Sequence, residues 1–294
     1  ECDYLQSMIP LQDHLIGISR PLIVQICGNN PDVLSKAVDK ILQYGFIDGI
    51  DFNLGCPQDK AKNDLFGSYL LDKCYWDKVY QCVKSMIDTI NNKIQFSCKI
   101  RICDGDNKLM NTISFCEGLY DNGVKIICIH GRTRGSTRHR RAGAADLNII
   151  QQVAIKFINK INIICNGNVI TPNDISNNLI NTNPCIGIMS AEGILADPAI
   201  FARAFNNSDN LPDRHMLFEE YCLLSNKYLD LGGWELKHAY ISDNSSDINA
   251  LTRHLSVAKQ HLSYMLGKSG HGRTIRYIHS GNYKKHYELM KDIN

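Results

Sequence analysis

No two cysteines in this chain are spaced CxxC, although its 294 residues include twelve of them. That absence speaks against a structural zinc site. Twelve cysteines are also only about 4% of the chain, well short of a disulfide scaffold. Net charge is nearly missing as well: 32 Lys and Arg against 30 Asp and Glu leave +2. Overall charge therefore does not mark a nucleic-acid binder, and such a surface would have to come from local clustering. No apolar run approaches the ~20 residues that span a bilayer, so no membrane partner is expected. No signal peptide is visible, but the chain starts at Glu1 and not at Met, and it is expected to be a fragment.

What is present supports a proper core. Hydrophobic residues make up 44% and charged residues 21%, enough for one large α/β domain and a smaller appendage. Cys27, Cys98, Cys128, Cys165 and Cys185 lie inside apolar runs, where a reduced thiol behaves as a small hydrophobe. A reducing compartment is expected, cytoplasmic with the nucleus as the alternative.

Beyond residue 20 a rhythm sets in. Pro21–Gly28, Ile47–Asn53, Ile94–Arg101, Val124–His130, Ile161–Asn166 and Ile186–Ser190 read as short buried strands. Helices are expected between them: one opening at Asn30-Pro31-Asp32, then Asp72–Asn91, Met110–Asn122 closed by Gly123, Asp146–Asn159, and one capped by Thr171–Asp174. Strand and helix alternate at ~30-residue spacing, the pattern of parallel strands joined by helical crossovers. An open doubly wound sheet and a closed (β/α) barrel both fit it. Polar residues recur at nearly every strand's C-terminal end, which favours a TIM-type barrel over residues 1–205. Past a linker at Asn206–Pro212 the composition shifts. A small all-helical domain is expected over 206–294, with helices at Met216–Leu231 and Tyr283–Ile293. Leu251, Leu255, Ala258, Leu262 and Met265 form an apolar stripe between them.

The chain is organised around Gly49-Ile50-Asp51-Phe52-Asn53-Leu54-Gly55-Cys56-Pro57-Gln58. An apolar strand ends in a turn that sets a cysteine just past the strand, where barrel enzymes do their chemistry. Cys56 can be read as a nucleophile, a general acid or an inert thiol. Lys99 interrupts an apolar strand, so it either reaches an anion in a polar site or snorkels to water. His130 is followed by Gly131-Arg132-Thr133-Arg134, and the arginines suit phosphate. Asn166-Gly167-Asn168 and Ser190-Ala191-Glu192-Gly193 are small-residue turns after consecutive strands, the order in which barrels often build a phosphate site. Arg132, Arg134, Arg138, Arg140 and Arg141 with His139 form the densest basic cluster, either a solvated loop or a patch for RNA phosphates.

Together with Gly67-Ser68-Tyr69-Leu70-Leu71 and Met189-Ser190-Ala191-Glu192-Gly193, these motifs resemble the flavin-dependent tRNA-dihydrouridine synthases. Pro21–Gly28 and Ala191-Glu192-Gly193 look like the eukaryotic branch acting on D-loop positions 16 and 17. The resemblance implies FMN as cofactor, NADPH as reductant, tRNA as partner, no metal, and a monomer. By analogy Cys56 is the general acid that protonates uracil C5 after hydride arrives at C6. Asn53, Arg132 and Arg134 would contact the substrate. Gln25, Lys99 and His130 would face the flavin ring, and Asn166, Gly167, Asn168, Ala191 and Glu192 would hold its phosphate. Relatives carry two further strands before the segment matching Pro21, so the barrel is expected to lack its first two. Two other readings stay open: an RNA-binding protein that kept the fold without flavin activity, and another flavin barrel acting on free pyrimidines.

Overall fold

The computed structural model describes residues 20–137 and 143–205, with 211–212, 216–217, 220–221 and 265 beyond them. The described residues fall into two compact units. One comprises 20–137, 143–169 and 173–190; the other comprises 170–172, 191–205 and the isolated later positions.

In the first unit six strands pair in parallel and in chain order: β1 (Ile23–Ile26), β2 (Gly49–Leu54), β3 (Gln95–Arg101), β4 (Ile126–His130), β5 (Asn162–Asn166) and β6 (Gly187–Met189). Between them run α1 (Pro31–Leu42), the short α2 (Asp59–Asn63), α3 (Trp76–Ile90), α4 (Lys108–Asp121), α5 (Leu147–Lys156) and α6 (Pro172–Asn181), whose first residue is counted with the second unit. Sequential parallel strands with helical crossovers are the architecture of a TIM-type (β/α) barrel, as the rhythm of the sequence led us to expect. Six such strands are present among the described residues.

Alternation along each strand divides the side chains into two faces. Ile50, Phe52, Leu54, Cys98, Ile100, Ile127, Ile129, Ile163 and Cys165 form the outer face, each at most 1% exposed. The helices bring matching stripes: Leu34, Val38 and Ile41 on α1, and Val79, Cys82, Val83, Met86 and Ile90 on α3. Burying each large aliphatic side chain contributes about 1.5–3 kcal/mol. The opposite face carries the polar residues. Register sets Gln25 beside Asp51 and Asp51 beside Ser97. One layer further on, Asn53 lies beside Lys99, and Lys99 beside Cys128. At the strand ends Arg101 lies beside His130, His130 beside Asn166, and Asn166 beside Met189.

Some boundaries move. α3 starts at Trp76, four residues later than the apolar periodicity suggests, because Asp72 stays extended and Lys73–Tyr75 form a 3-10 turn. The Trp76 indole donates to the Leu71 carbonyl at 2.8 Å, which fixes that entry. Gly123 does close α4, at φ +99°. Cys27 corrects another expectation: it is exposed, because β1 pairs on one side only among the described residues and its end is left uncovered.

In the second unit α7 (Glu192–Ala196) leads to α8 (Ile200–Phe205), and the buried Asp197 accepts from Arg203 Nε at 2.9 Å. The expected linker and helical domain over 206–294 lie outside the described residues, apart from the isolated positions. Met265, from the expected apolar stripe, is helical and buried.

Candidate active site at the strand ends

The turn after β2 is built by four neighbours. Asn53 Oδ1 accepts from the backbone N–H groups of both Gly55 and Cys56, each at 3.0 Å. This side-chain turn replaces the ladder where the strand stops. The Cys56 carbonyl accepts from Ser68 N and from Ser68 Oγ, each at 2.9 Å. Tyr69 Oη donates to the Pro57 carbonyl at 3.3 Å. Gly67 sits at φ +63°, and a Cβ there would come within 2.6 Å of the Cys56 carbonyl oxygen, so only glycine lets the two segments meet. None of these bonds uses the Cys56 sulfur, and the residue is half-buried.

Lys99 stands beside Asn53 on the same face. Among the described residues no hydrogen bond or ion pair falls on its Nζ. Burial pushes its pKa down, with Cys128 and Asp51 acting in the opposite direction and Arg101 adding to the fall. An ammonium held at the interior face without a partner is a place for an anion.

His130 closes β4. Burial first, then Lys99, Arg101 and Arg132, hold its pKa down to about 3, so the ring is neutral at physiological pH. Arg132 Nη1 lies 2.9 Å from Nε2. Since a guanidinium only donates, Nε2 must accept and the proton sits on Nδ1. Arg132 also donates to the Gly143 carbonyl at 3.1 Å and to Asn168 Oδ1 at 3.2 Å. Its fork is thus occupied within the chain. Arg134 is similar: it pairs with both oxygens of Asp72 at 2.9 and 3.1 Å, donates to the Ser68 carbonyl, and stacks 4.8 Å from the Tyr69 ring centre. Arg101 donates to the Gly55 carbonyl at 2.8 Å and to the Thr133 carbonyl at 3.2 Å. Sequence reading offered Arg132 and Arg134 to the substrate; in the structure both brace loops of the site. Arg138, His139, Arg140 and Arg141 lie outside the described residues.

After β5, Asn166 is buried and donates to the Met189 carbonyl at 2.8 Å. Gly167, at φ +116°, passes so close to Ala145 that a Cβ would lie 2.6 Å from that methyl. Asn168 clamps the backbone of Ala145, accepting its N–H at 2.8 Å and donating to its carbonyl at 3.0 Å. Ala191 and Glu192 belong to the second unit, where Ala191 precedes the first turn of α7.

Gln25, which the resemblance sets against the flavin ring, takes part in a chain of hydrogen bonds. Its Nε2 donates to Asp51 Oδ2 at 2.7 Å, and its Oε1 accepts from Asn53 Nδ2 at 2.9 Å. Asp51, at 9% exposure, and Ser97, which donates to Asp51 Oδ1 at 2.6 Å, were not singled out from the sequence. The available signal was the strand period: Asp51 is two residues before Asn53 and shares its face. A cleft of about 550 Å³ opens elsewhere, lined by Asp72, Trp76, Asp104 and Asp106 among others, and its carboxylates make it a poor phosphate site. No group of metal ligands is found among the described residues, and no described helix is long and apolar enough to cross a membrane.

The chain is similar to known proteins. The family profile described as dihydrouridine synthase (Dus) matches residues 3–288. The tRNA-dihydrouridine(16/17) synthase of Saccharomyces cerevisiae is 30% identical over 207 residues, 70% of this chain and 46% of that protein. The Schizosaccharomyces pombe protein of the same name is 33% identical over 184 residues, 62% of this chain and 43% of that one. A Homo sapiens tRNA-dihydrouridine(20a/20b) synthase-like protein is 32% identical over 185 residues, 62% and 53% of the two chains. The chain therefore spans about half the length of the curated relatives it matches.

Proposed function

This chain belongs to the dihydrouridine synthase family, and from that premise we propose that it reduces the C5–C6 double bond of a uridine in the D-loop of tRNA, with FMN as cofactor and NADPH as reductant. The observation that carries this reading is the Lys99 ammonium, held without a partner among the described residues on the face that also bears the Cys56 turn and a neutral His130.

The residues fit a flavin. Lys99 would offer its charge to the electron-rich edge of the ring. His130, kept neutral chiefly by burial and held in its Nδ1–H tautomer by Arg132, would offer an Nδ1–H donor without a competing charge. The turn at Asn166-Gly167-Asn168, too tight for any side chain at its centre, would offer backbone N–H groups to phosphate. When bound, the reduced cofactor supplies a hydride to C6 of the uracil. Cys56 would then deliver the proton that C5 needs, from a thiol whose backbone is fixed by Asn53, Ser68 and Gly67. A base buried in a tRNA fold cannot reach this face, so the target uridine would be flipped out of its stack. Positions 16 and 17 of the D-loop are favoured by the relatives that share those numbers in their names.

The direct test is to purify the protein, follow its visible absorbance with NADPH, and assay tRNA for dihydrouridine. The expected result is a yellow protein that bleaches and then yields dihydrouridine. A colourless protein that still binds tRNA would favour a binding protein on the same fold. Bleaching with free pyrimidine as the only acceptor would favour another flavin barrel.

A further inference from the structure

The four side chains below the Cys56 turn form a chain of hydrogen bonds with one direction. Ser97 Oγ donates to Asp51 Oδ1 at 2.6 Å, and Gln25 Nε2 donates to Asp51 Oδ2 at 2.7 Å. Gln25 Oε1 accepts from Asn53 Nδ2 at 2.9 Å, and Asn53 Oδ1 accepts from the N–H groups of Gly55 and Cys56. An ionised carboxylate can only accept, whereas each amide has a donor end and an acceptor end. The carboxylate at the root therefore decides which way every amide above it points. Gln25 must turn its NH2 downward, so its oxygen meets Asn53. Asn53 must turn its NH2 toward Gln25, so its oxygen meets the two backbone donors.

We propose that Asp51 is a positioning residue for the reaction, acting through Gln25 and Asn53 to fix the backbone that carries Cys56. It sits about 9% exposed at the base of the interior face, three links from the thiol. Burial raises its pKa, and the two hydrogen bonds it receives from Ser97 and Gln25 and the nearby Lys99 act against that rise. The carboxylate also lies diagonal to Lys99 across the β2–β3 pair. This inference rests on reading Cys56 as the reacting thiol, but its test reads the thiol itself and needs neither cofactor nor tRNA.

Asp51→Asn keeps shape and volume but presents an NH2 as well as an oxygen. Gln25 and Asn53 can then invert together, which would turn an NH2 onto the Gly55 and Cys56 N–H groups and loosen the turn. The double variant Asp51→Asn with Gln25→Glu returns an acceptor-only group next to Asn53 and restores its direction at the same net charge. The measurement is iodoacetamide labelling of the folded, full-length protein, with rates at individual cysteines read by peptide mass spectrometry. Cys74, exposed on a different turn, and Cys98 and Cys116, both buried, are internal controls for an intact fold.

In Asp51→Asn, labelling at Cys56 should rise about tenfold with the controls unchanged, and the double variant should return to within about twofold of the wild type. The inference is overturned if Asp51→Asn labels Cys56 at the wild-type rate, or if the double variant labels it as fast as Asp51→Asn. Should Asp51→Asn unfold and label every thiol, the double variant decides alone: a wild-type Cys56 rate supports the inference and a tenfold faster one contradicts it. Normal labelling behaviour in a protein that fails to modify tRNA would leave this inference standing and remove the proposed function.

Discussion

Two walls of the site flank Lys99, and they are held by opposite means. On the β2 side a buried carboxylate, two amides and a serine orient the Cys56 turn through neutral or anionic acceptors. On the β4–β5 side Arg132 and Arg134 bind backbone carbonyls and neighbouring side chains, Arg101 at the end of β3 reaches the Gly55 and Thr133 carbonyls, and burial, with the charges of Lys99, Arg101 and Arg132, keeps His130 neutral. Arg134 ties the walls together, since it leaves the β4 loop to grip Asp72 and the Ser68 carbonyl, part of the segment that pins Cys56. The contrast suggests a division of labour. On the proposed reading one wall holds the thiol that gives a proton, and the other presents positive charge and a neutral donor to the anion that Lys99 meets.

The sharpest way to break this division is at Cys56 itself. Cys56→Ala should retain FMN yet lower dihydrouridine formation in tRNA by roughly 10²–10⁴-fold, the usual worth of a placed general acid. Normal turnover would remove the acid from the β2 wall. Lys99→Met should lower activity by roughly 10²–10³-fold and also weaken FMN retention, measured by the flavin-to-protein absorbance ratio. A full flavin complement would mean that the lone ammonium serves something else.

Gly67→Ala tests the mechanics of the β2 wall. A Cβ forced against the Cys56 carbonyl at positive φ should cost about 1–3 kcal/mol, read from urea unfolding. On the other wall, folding holds His130 neutral down to about pH 3, whereas the unfolded chain protonates near 6.5. Its contribution to stability is therefore complete above pH 6.5 and is lost as the pH falls toward 3. His130→Gln should flatten the fall in urea midpoint across that window, and an unchanged slope would contradict the burial argument. The smallest effect is expected at Asn168→Asp, which loses the donor to the Ala145 carbonyl but gains a charge beside Arg132; a net loss of about 1 kcal/mol or less should result.

The sequence was most legible where period and chemistry agree. Apolar, β-branched runs located all six strands, and polar residues at or near the strand ends fell on the interior face, as Lys99, His130 and Asn166 show. It was least legible where a side chain's partner comes from a distant turn. Nothing in the sequence near Arg132 says that its fork will be filled by His130, Gly143 and Asn168. Nor does Gly67, eleven residues past Cys56, announce that it must be small for the sake of that cysteine's carbonyl. Asp51 was hidden for another reason. In a run as apolar as Ile50–Leu54 it reads as part of a motif, and only the register beside Gln25 and Ser97 shows it as the root of a network.

The most direct test separates the two half-reactions in one anaerobic experiment. Wild type and Cys56→Ala are each bleached with NADPH, and tRNA is then added while the return of flavin absorbance is timed. The account predicts equal bleaching in both proteins and a return at least about 100-fold slower without the thiol. Equal rates of return would show that the proton comes from elsewhere, and the β2 wall would lose its assigned role.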